Sequence, residues 1–169
     1  MSMSIDQFLS LSDAEQLQTI KDLNDIGQEE IIIDVLTGVG IGNLSVPLLG
    51  ELGRAYNNND KPEEAIKVFK AIDKKHRDAV WHYRCAYSHG SIASTNREAY
   101  ASENMQQMLA LVDSGVQLAT KEDRNDIKEY CFEVMDMCRL QMDFEKCEVD
   151  YPDLCLKYSK YIAEKKKKR

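Results

Sequence analysis

Three groups of residues in this chain are of types that do chemistry. The first is the segment "TGVGIGN", where Gly38, Gly40 and Gly42 alternate behind the apolar run "EEIIIDVL". Glycines after a β-branched strand let a backbone approach a phosphate or cofactor, and the next helix offers its N-terminal N–H groups. That chemistry needs a parallel sheet, and the sequence shows no second strand. A phosphate loop would also need Lys-Ser or Lys-Thr behind the glycines, and neither follows. The segment is read instead as a helix stop and a connection leading to Pro47. The second group is His82, Cys85 and His89, spaced i, i+3 and i+7 so that they share one side of a helix. Imidazole and thiolate are zinc donors. No fourth donor accompanies them, and Cys85 and His89 fall on the apolar face, so packing is the expected role and no metal is expected.

The other cysteines, Cys131, Cys138, Cys147 and Cys155, are separated by six, eight and seven residues. No C-x-x-C motif arises, and they are read as buried thiols. The third group is the carboxylates between Glu122 and Asp153, among them Asp126, Glu129, Glu133 and Asp136. A carboxylate pair could do acid–base work, but a solvated helix face accounts for such a run, and no EF-hand loop pattern is present. The residues give no reason to expect a catalytic centre or a cofactor.

The elements that must position these residues read as helices. Ser12 and Glu15 make an S-x-x-E capping box ahead of Leu17, Ile20 and Leu23, and Gly27 closes that helix. "QEEIIIDVL" fits a strand by propensity and a helix by its flanking acids and by Gly38 as a stop. "VPLLGELGRAYNNND" puts Leu48, Leu52, Ala55 and Tyr56 on one face, with Pro47 in the first turn and "NNND" as a turn. "KPEEAIKVFKAIDKK" follows with acids first and lysines last, an order that complements the helix dipole. A third helix, "AVWHYRCAYSH", is predicted to break at "GSIASTN". The segment "REAYASENMQQMLALVDSGVQLA" then reads as a long helix that bends or stops near Gly115. "KEDRNDIKEYCFEVMDMCRLQM" is another helix, "DFEKCEVDYP" a connection, and "DLCLKYSKYIAEK" a final short helix.

The chain has 169 residues and a formal charge of −7. Five of its 22 basic residues lie in the last six positions, "EKKKKR"; without them 17 basic residues face 29 acidic ones. Such an acidic body repels nucleic-acid phosphates and anionic lipid, so neither nucleic acid nor membrane is an expected partner. The basic tail reads as a solvated terminus able to complement the last helix's negative end. No apolar run reaches the length of a membrane span, and "MSMSIDQFLSLSDAEQ" lacks the features of a secretory signal. With five cysteines, an odd number, the expectation is a cytoplasmic protein with reduced thiols.

A self-match then emerges. "LGRAYNNND" aligns with "CAYSHGSIA" at a shift of 33 residues, pairing Leu52 with Cys85, Gly53 with Ala86 and Tyr56 with His89. Further on, Glu64-Ala65 matches Glu98-Ala99 at a shift of 34. The unit "LGRAYNNNDKPEEAIKVF" resembles the tetratricopeptide repeat, with Leu52, Gly53, Tyr56, Ala65 and Phe69 at that family's pattern positions. The segments "GRAYNNND" and "WHYRCAYSH" are also similar to small bacterial tetratricopeptide-like proteins of unknown partner. The resemblance covers residues 45–110, and its second unit departs from the pattern at Ala86 and His89.

It implies an all-α, tetratricopeptide-like array of antiparallel helical hairpins, an α-solenoid. Gly53 and Ala65 would let paired helices approach, and Tyr56 and Phe69 would fill the space between one pair and the next. The expected organisation is one helical-repeat domain over 1–169: capping helices at 4–43, two repeat units at 45–118, C-terminal helices at 121–163 and the tail at 164–169. The implied function is non-enzymatic recognition of a peptide or protein on the concave face, through Arg54, Asn57, Asn58, Tyr83 and Tyr87. The alternative is an immunity protein or antitoxin that neutralises a basic toxin through the acidic surface. The sequence leaves the oligomeric state open.

Overall fold

In a computed structural model, which describes residues 2–168, the chain is helical, with no strand among the described residues. Its α-helices are α1 (Ile5–Leu9), α2 (Asp13–Asp25), α3 (Glu29–Val39), α4 (Val46–Asn58), α5 (Pro62–Lys70), α6 (Ala79–Thr95), α7 (Glu103–Lys121), α8 (Asn125–Met137), α9 (Phe144–Asp150) and α10 (Pro152–Lys167). No helix is long and apolar enough to cross a membrane among the described residues. The helices gather into two compact units, Met1–His76 and Arg77–Arg169.

In the first unit, both early helices start on reciprocal caps. Ser12 Oγ accepts from the Glu15 N–H at 3.4 Å, and the Ser12 N–H donates to Glu15 Oε2 at 2.9 Å. The Ser12 N–H, and then the Ser12 hydroxyl, donate to the Glu15 carboxylate and lower its pKa from the ordinary value. Ser4 and Gln7 make the same box for α1, a helix that the sequence reading did not anticipate. The ambiguous segment "QEEIIIDVL" is helix α3. Ile32, Val35 and Leu36 are buried at helical spacing, so periodicity prevails over the β-propensity of three isoleucines. The helix passes Gly38 and ends at Gly40, whose φ of 93° suits glycine and few other residues.

Helix α4 packs against α2, α3 and α5 and forms the centre of this unit. Three residues turn the chain from α4 into α5, so the pair is a helical hairpin. Leu52, Ala55, Ala65 and Phe69 are fully buried in it. The Phe69 ring occupies the place where a side chain at Gly53 would stand. Phe69 therefore fills space inside the α4–α5 pair, where the resemblance placed it between pairs.

The second unit packs α6, α7 and α8 against one another, with α10 resting on α8 and α9 on α10. Met105, Met108, Leu109 and Val112 of α7 and Cys131, Val134 and Met135 of α8 form its core. Two predicted breaks are absent. Helix α6 runs through "GSIAST" to Thr95, because Gly90 sits where α8 comes close: a β-carbon there would lie 3.0 Å from Met137 Cε and 3.1 Å from Val134 Cγ1. Helix α7 likewise continues through Gly115, which faces Cys131 Sγ at 3.1 Å and His82 Cβ at 3.2 Å by the same measure. Both glycines make room for a neighbouring helix. The break falls instead after Asn96, where Arg97 has a φ of 50°. "REAYAS" is thus connection, and α7 begins only behind the Ser102 cap. The connection predicted over "DFEKCEVDYP" contains helix α9, capped by Asp143.

The self-match has a structural counterpart in part. The caps of α4 and α6, Ser45 and Asp78, stand 33 positions apart, matching the shift in the sequence. Leu52 and Cys85, and Gly53 and Ala86, are buried in both helices. Glu98 and Ala99, matched to Glu64 and Ala65 of α5, lie in the connection before α7 and in no helix.

Replacing glycine by alanine inside a helix ordinarily stabilises it by about 1 kcal/mol. At Gly53 the sign reverses, because the added carbon falls on the buried Phe69 ring. Gly53→Ala lowers the unfolding free energy by about 1–3 kcal/mol in urea titration. Gly42→Ala, which would meet nothing within 4 Å, changes it by less than about 0.5 kcal/mol.

Candidate binding surfaces

The five residues predicted to bind a partner are divided between the units. In the first, Arg54 is already engaged. Its Nη2 donates to Asp25 Oδ1 at 2.8 Å and its Nη1 to Glu51 Oε2 at 3.5 Å. Burial opposes its charge, but Asp25 and Glu51 outweigh burial and push the guanidinium's pKa up. Glu51 is itself buried, and Asn24 Nδ2 donates to its carboxylate at 2.9 Å and to its carbonyl at 3.1 Å. Arg54 is thus part of a brace between α2 and α4. Asn57, on the same helix, is 7% exposed. Asn58, at the end of α4, is exposed.

In the second unit, Tyr83 and Tyr87 lie one turn apart on α6, half-buried against the edge of the core. The Tyr83 ring meets Tyr130 of α8 at 5.2 Å between centroids, with planes 35° apart. Burial pushes the Tyr83 phenol up, and Tyr87 and the carboxylate of Glu133 add to that. Tyr130 remains 41% exposed and Glu133 is exposed. These four side chains make an aromatic face with an acidic rim. The sequence reading missed Tyr130, although an aromatic residue on the polar side of the α8 pattern was the available signal.

The residues considered for catalysis and metal binding make contacts of their own. His82 Nδ1 contacts the Asp78 carbonyl at 2.8 Å, and its ring sits edge-on to Trp81 at 4.8 Å. Trp81 is buried, with the Arg77 guanidinium 4.4 Å over its ring. His89 is buried and pairs with Asn104 Oδ1 at 2.9 Å, while Cys85 is buried on the same helix. No group of three or more His, Cys, Asp or Glu is placed to hold a metal ion among the described residues. The glycine segment joins two helices through a short 3-10 turn, Ile41–Asn43, and the strand that a cofactor loop would need is helix α3.

Several of the acids brace the fold. Asp78 and Glu122 both accept from the first N–H groups of α6, at Trp81 (2.9 Å) and Ala79 (3.4 Å), where a negative charge favours the helix dipole. Tyr100 donates to Asp150 at 2.9 Å and Tyr158 to Asp136 at 3.0 Å.

A concave feature lies between α8 and α10. It is a cavity of about 360 Å³ whose lining includes Lys128, Phe132, Lys157, Lys160, Tyr161 and Glu164. The basic tail extends α10 to Lys167, and Lys165 Nζ donates to the Tyr161 hydroxyl at 3.3 Å. Arg169 of that tail lies outside the described residues.

No protein-family model matches the chain, and neither does any curated protein or solved structure.

Two outcomes follow from these contacts. Arg54→Ala removes the guanidinium that bridges the buried Glu51 to Asp25 and lowers the unfolding free energy by about 1–3 kcal/mol in urea titration. Burial first, and then the carboxylates that they donate to, raise the phenols of Tyr100 and Tyr158 above their ordinary value. Their contribution is fully present below the unfolded-state value of about 10 and is lost as the pH rises beyond it. The melting temperature therefore falls when the pH is taken from about 9 to 11. In Tyr158→Phe that fall is smaller.

Proposed function

We propose that the chain is a non-enzymatic protein-recognition module, built as a tetratricopeptide-like array of helical hairpins and working in the cytoplasm. The repeat reading is supported by the equal phase of the α4 and α6 caps and by the close α4–α5 approach at Gly53. The observation that carries the binding surface is the Tyr83–Tyr130 contact beside Tyr87, a ring cluster left partly open to solvent. Tyrosines offer large contact area at low entropic cost, and Glu133 beside them suits a partner segment with a cationic side chain. Asn58 is a further polar contact in this reading. Arg54 and Asn57 act by holding the first unit together.

The acidic balance of the chain favours one second reading, an immunity protein or antitoxin that covers a basic toxin. The two readings separate by experiment. Proteins captured from the source cell on the wild-type chain are compared with those captured on Tyr130→Ala and on Glu133→Lys. On the first reading, Tyr130→Ala weakens a captured partner roughly tenfold, the size of an interface hot spot, with the melting temperature unchanged. A basic partner that is indifferent to Tyr130→Ala, and whose association rate falls steeply with salt, supports the second reading and overturns the first.

A further inference from the structure

Cys147 of α9 and Cys155 of α10 hold their sulfurs 2.9 Å apart inside the second unit. The chain's five cysteines are all free and buried, yet this contact joins two thiols directly. Cys138 donates instead to the Gly90 carbonyl at 3.3 Å, and Cys131 faces Gly115. We propose that Cys147 and Cys155 form an oxidant-accepting dithiol, which closes to an intrachain disulfide on reaction with a hydroperoxide.

The elements around the pair make this closure easy to reach. Helix α9 has seven residues, and Tyr151 alone separates it from α10. Its outer side is open, with Val149 80% exposed and Phe144 39% exposed. A short helix with one thinly covered side opens at low cost, which admits a small oxidant. A disulfide bond measures about 2.05 Å, so the sulfurs need to approach by about 0.9 Å, within the adjustment of two side chains.

The environment also orders the two thiols. Cys155 is 5% exposed and Cys147 is fully buried, so peroxide reaches Cys155 first. Burial pushes both thiols up, and the greater exposure of Cys155 decides which of them meets the oxidant. Cys155 is therefore the attacking sulfur. Its thiolate displaces hydroxide from the peroxide, breaking the O–O bond and leaving a sulfenic acid at Cys155; the hydroxide takes up the thiol proton as water. The Cys147 sulfur then attacks Cys155 Sγ, forming the S–S bond and releasing the second water. One peroxide accepts two electrons from two thiols, and both thiol protons leave in water. The product closes the Cys147–Cys155 loop and fixes α9 on α10.

The test treats the folded full-length chain with hydrogen peroxide, alkylates the remaining thiols and reads the intact mass and the peptide map. The expected product is lighter by about 2 Da before alkylation, a disulfide's loss of two hydrogens. It carries one cross-linked peptide, Cys147 to Cys155, returns to the starting mass with dithiothreitol, and melts at higher temperature than the reduced chain. In Cys147→Ser the disulfide is lost, and dimedone traps a sulfenic acid at Cys155. Five alkylated cysteines after peroxide, a cross-link to any other cysteine, or oxidation only after denaturant is added would each overturn the proposal. These readings come from the wild-type chain, so they stand even if the serine variant fails to fold.

Discussion

Two helices can come no closer than the side chains between them allow, and in this chain that limit is set at a few small residues. Gly53 admits the Phe69 ring and so fixes the spacing of α4 and α5. Gly90 and Gly115 do the same for α6, α7 and α8, which share one core. A protein interior is packed as densely as a crystal of small molecules, so each such position is filled by a particular neighbour. The apolar faces of these helices would bury area in many arrangements. The close approaches are what select among them.

This division explains what could be read in the sequence. The helices themselves were legible, because capping residues and apolar spacing are local signals: Ser12 with Glu15, Pro47 and Pro62 mark their helices in the sequence as they do in the structure. Glycine carries no such single meaning. At Gly40 it ends a helix through a positive φ, whereas at Gly90 and Gly115 it continues one and makes room for a partner distant in sequence. Reading a break at Gly90 moved the end of α6, and reading one at Gly115 placed a bend or stop inside α7. The site residues divide the same way. That Tyr83 and Tyr87 share a face follows from their spacing. That Arg54 is spent on Asp25 depends on α2 lying beside α4, which no local pattern states.

Charge is distributed between structural and open roles. Asp78, Glu122, Asp136, Asp150 and Glu51 accept hydrogen bonds from backbone or side-chain donors and stabilise particular contacts. An acidic composition is therefore not simply a measure of surface charge. What stays free to meet another molecule is a smaller set, including Glu133 at the aromatic face and the lysines between α8 and α10.

Trp81, the chain's only tryptophan, sits in the first turn of α6 beneath Arg77. Every indole signal thus originates in the second unit, from a buried ring with a cation over it. The first unit holds no indole, and Tyr56 is its sole phenol. Emission spectroscopy of this protein watches one half of the molecule. Melting of the other half is nearly dark to it and has to be followed through the amide backbone.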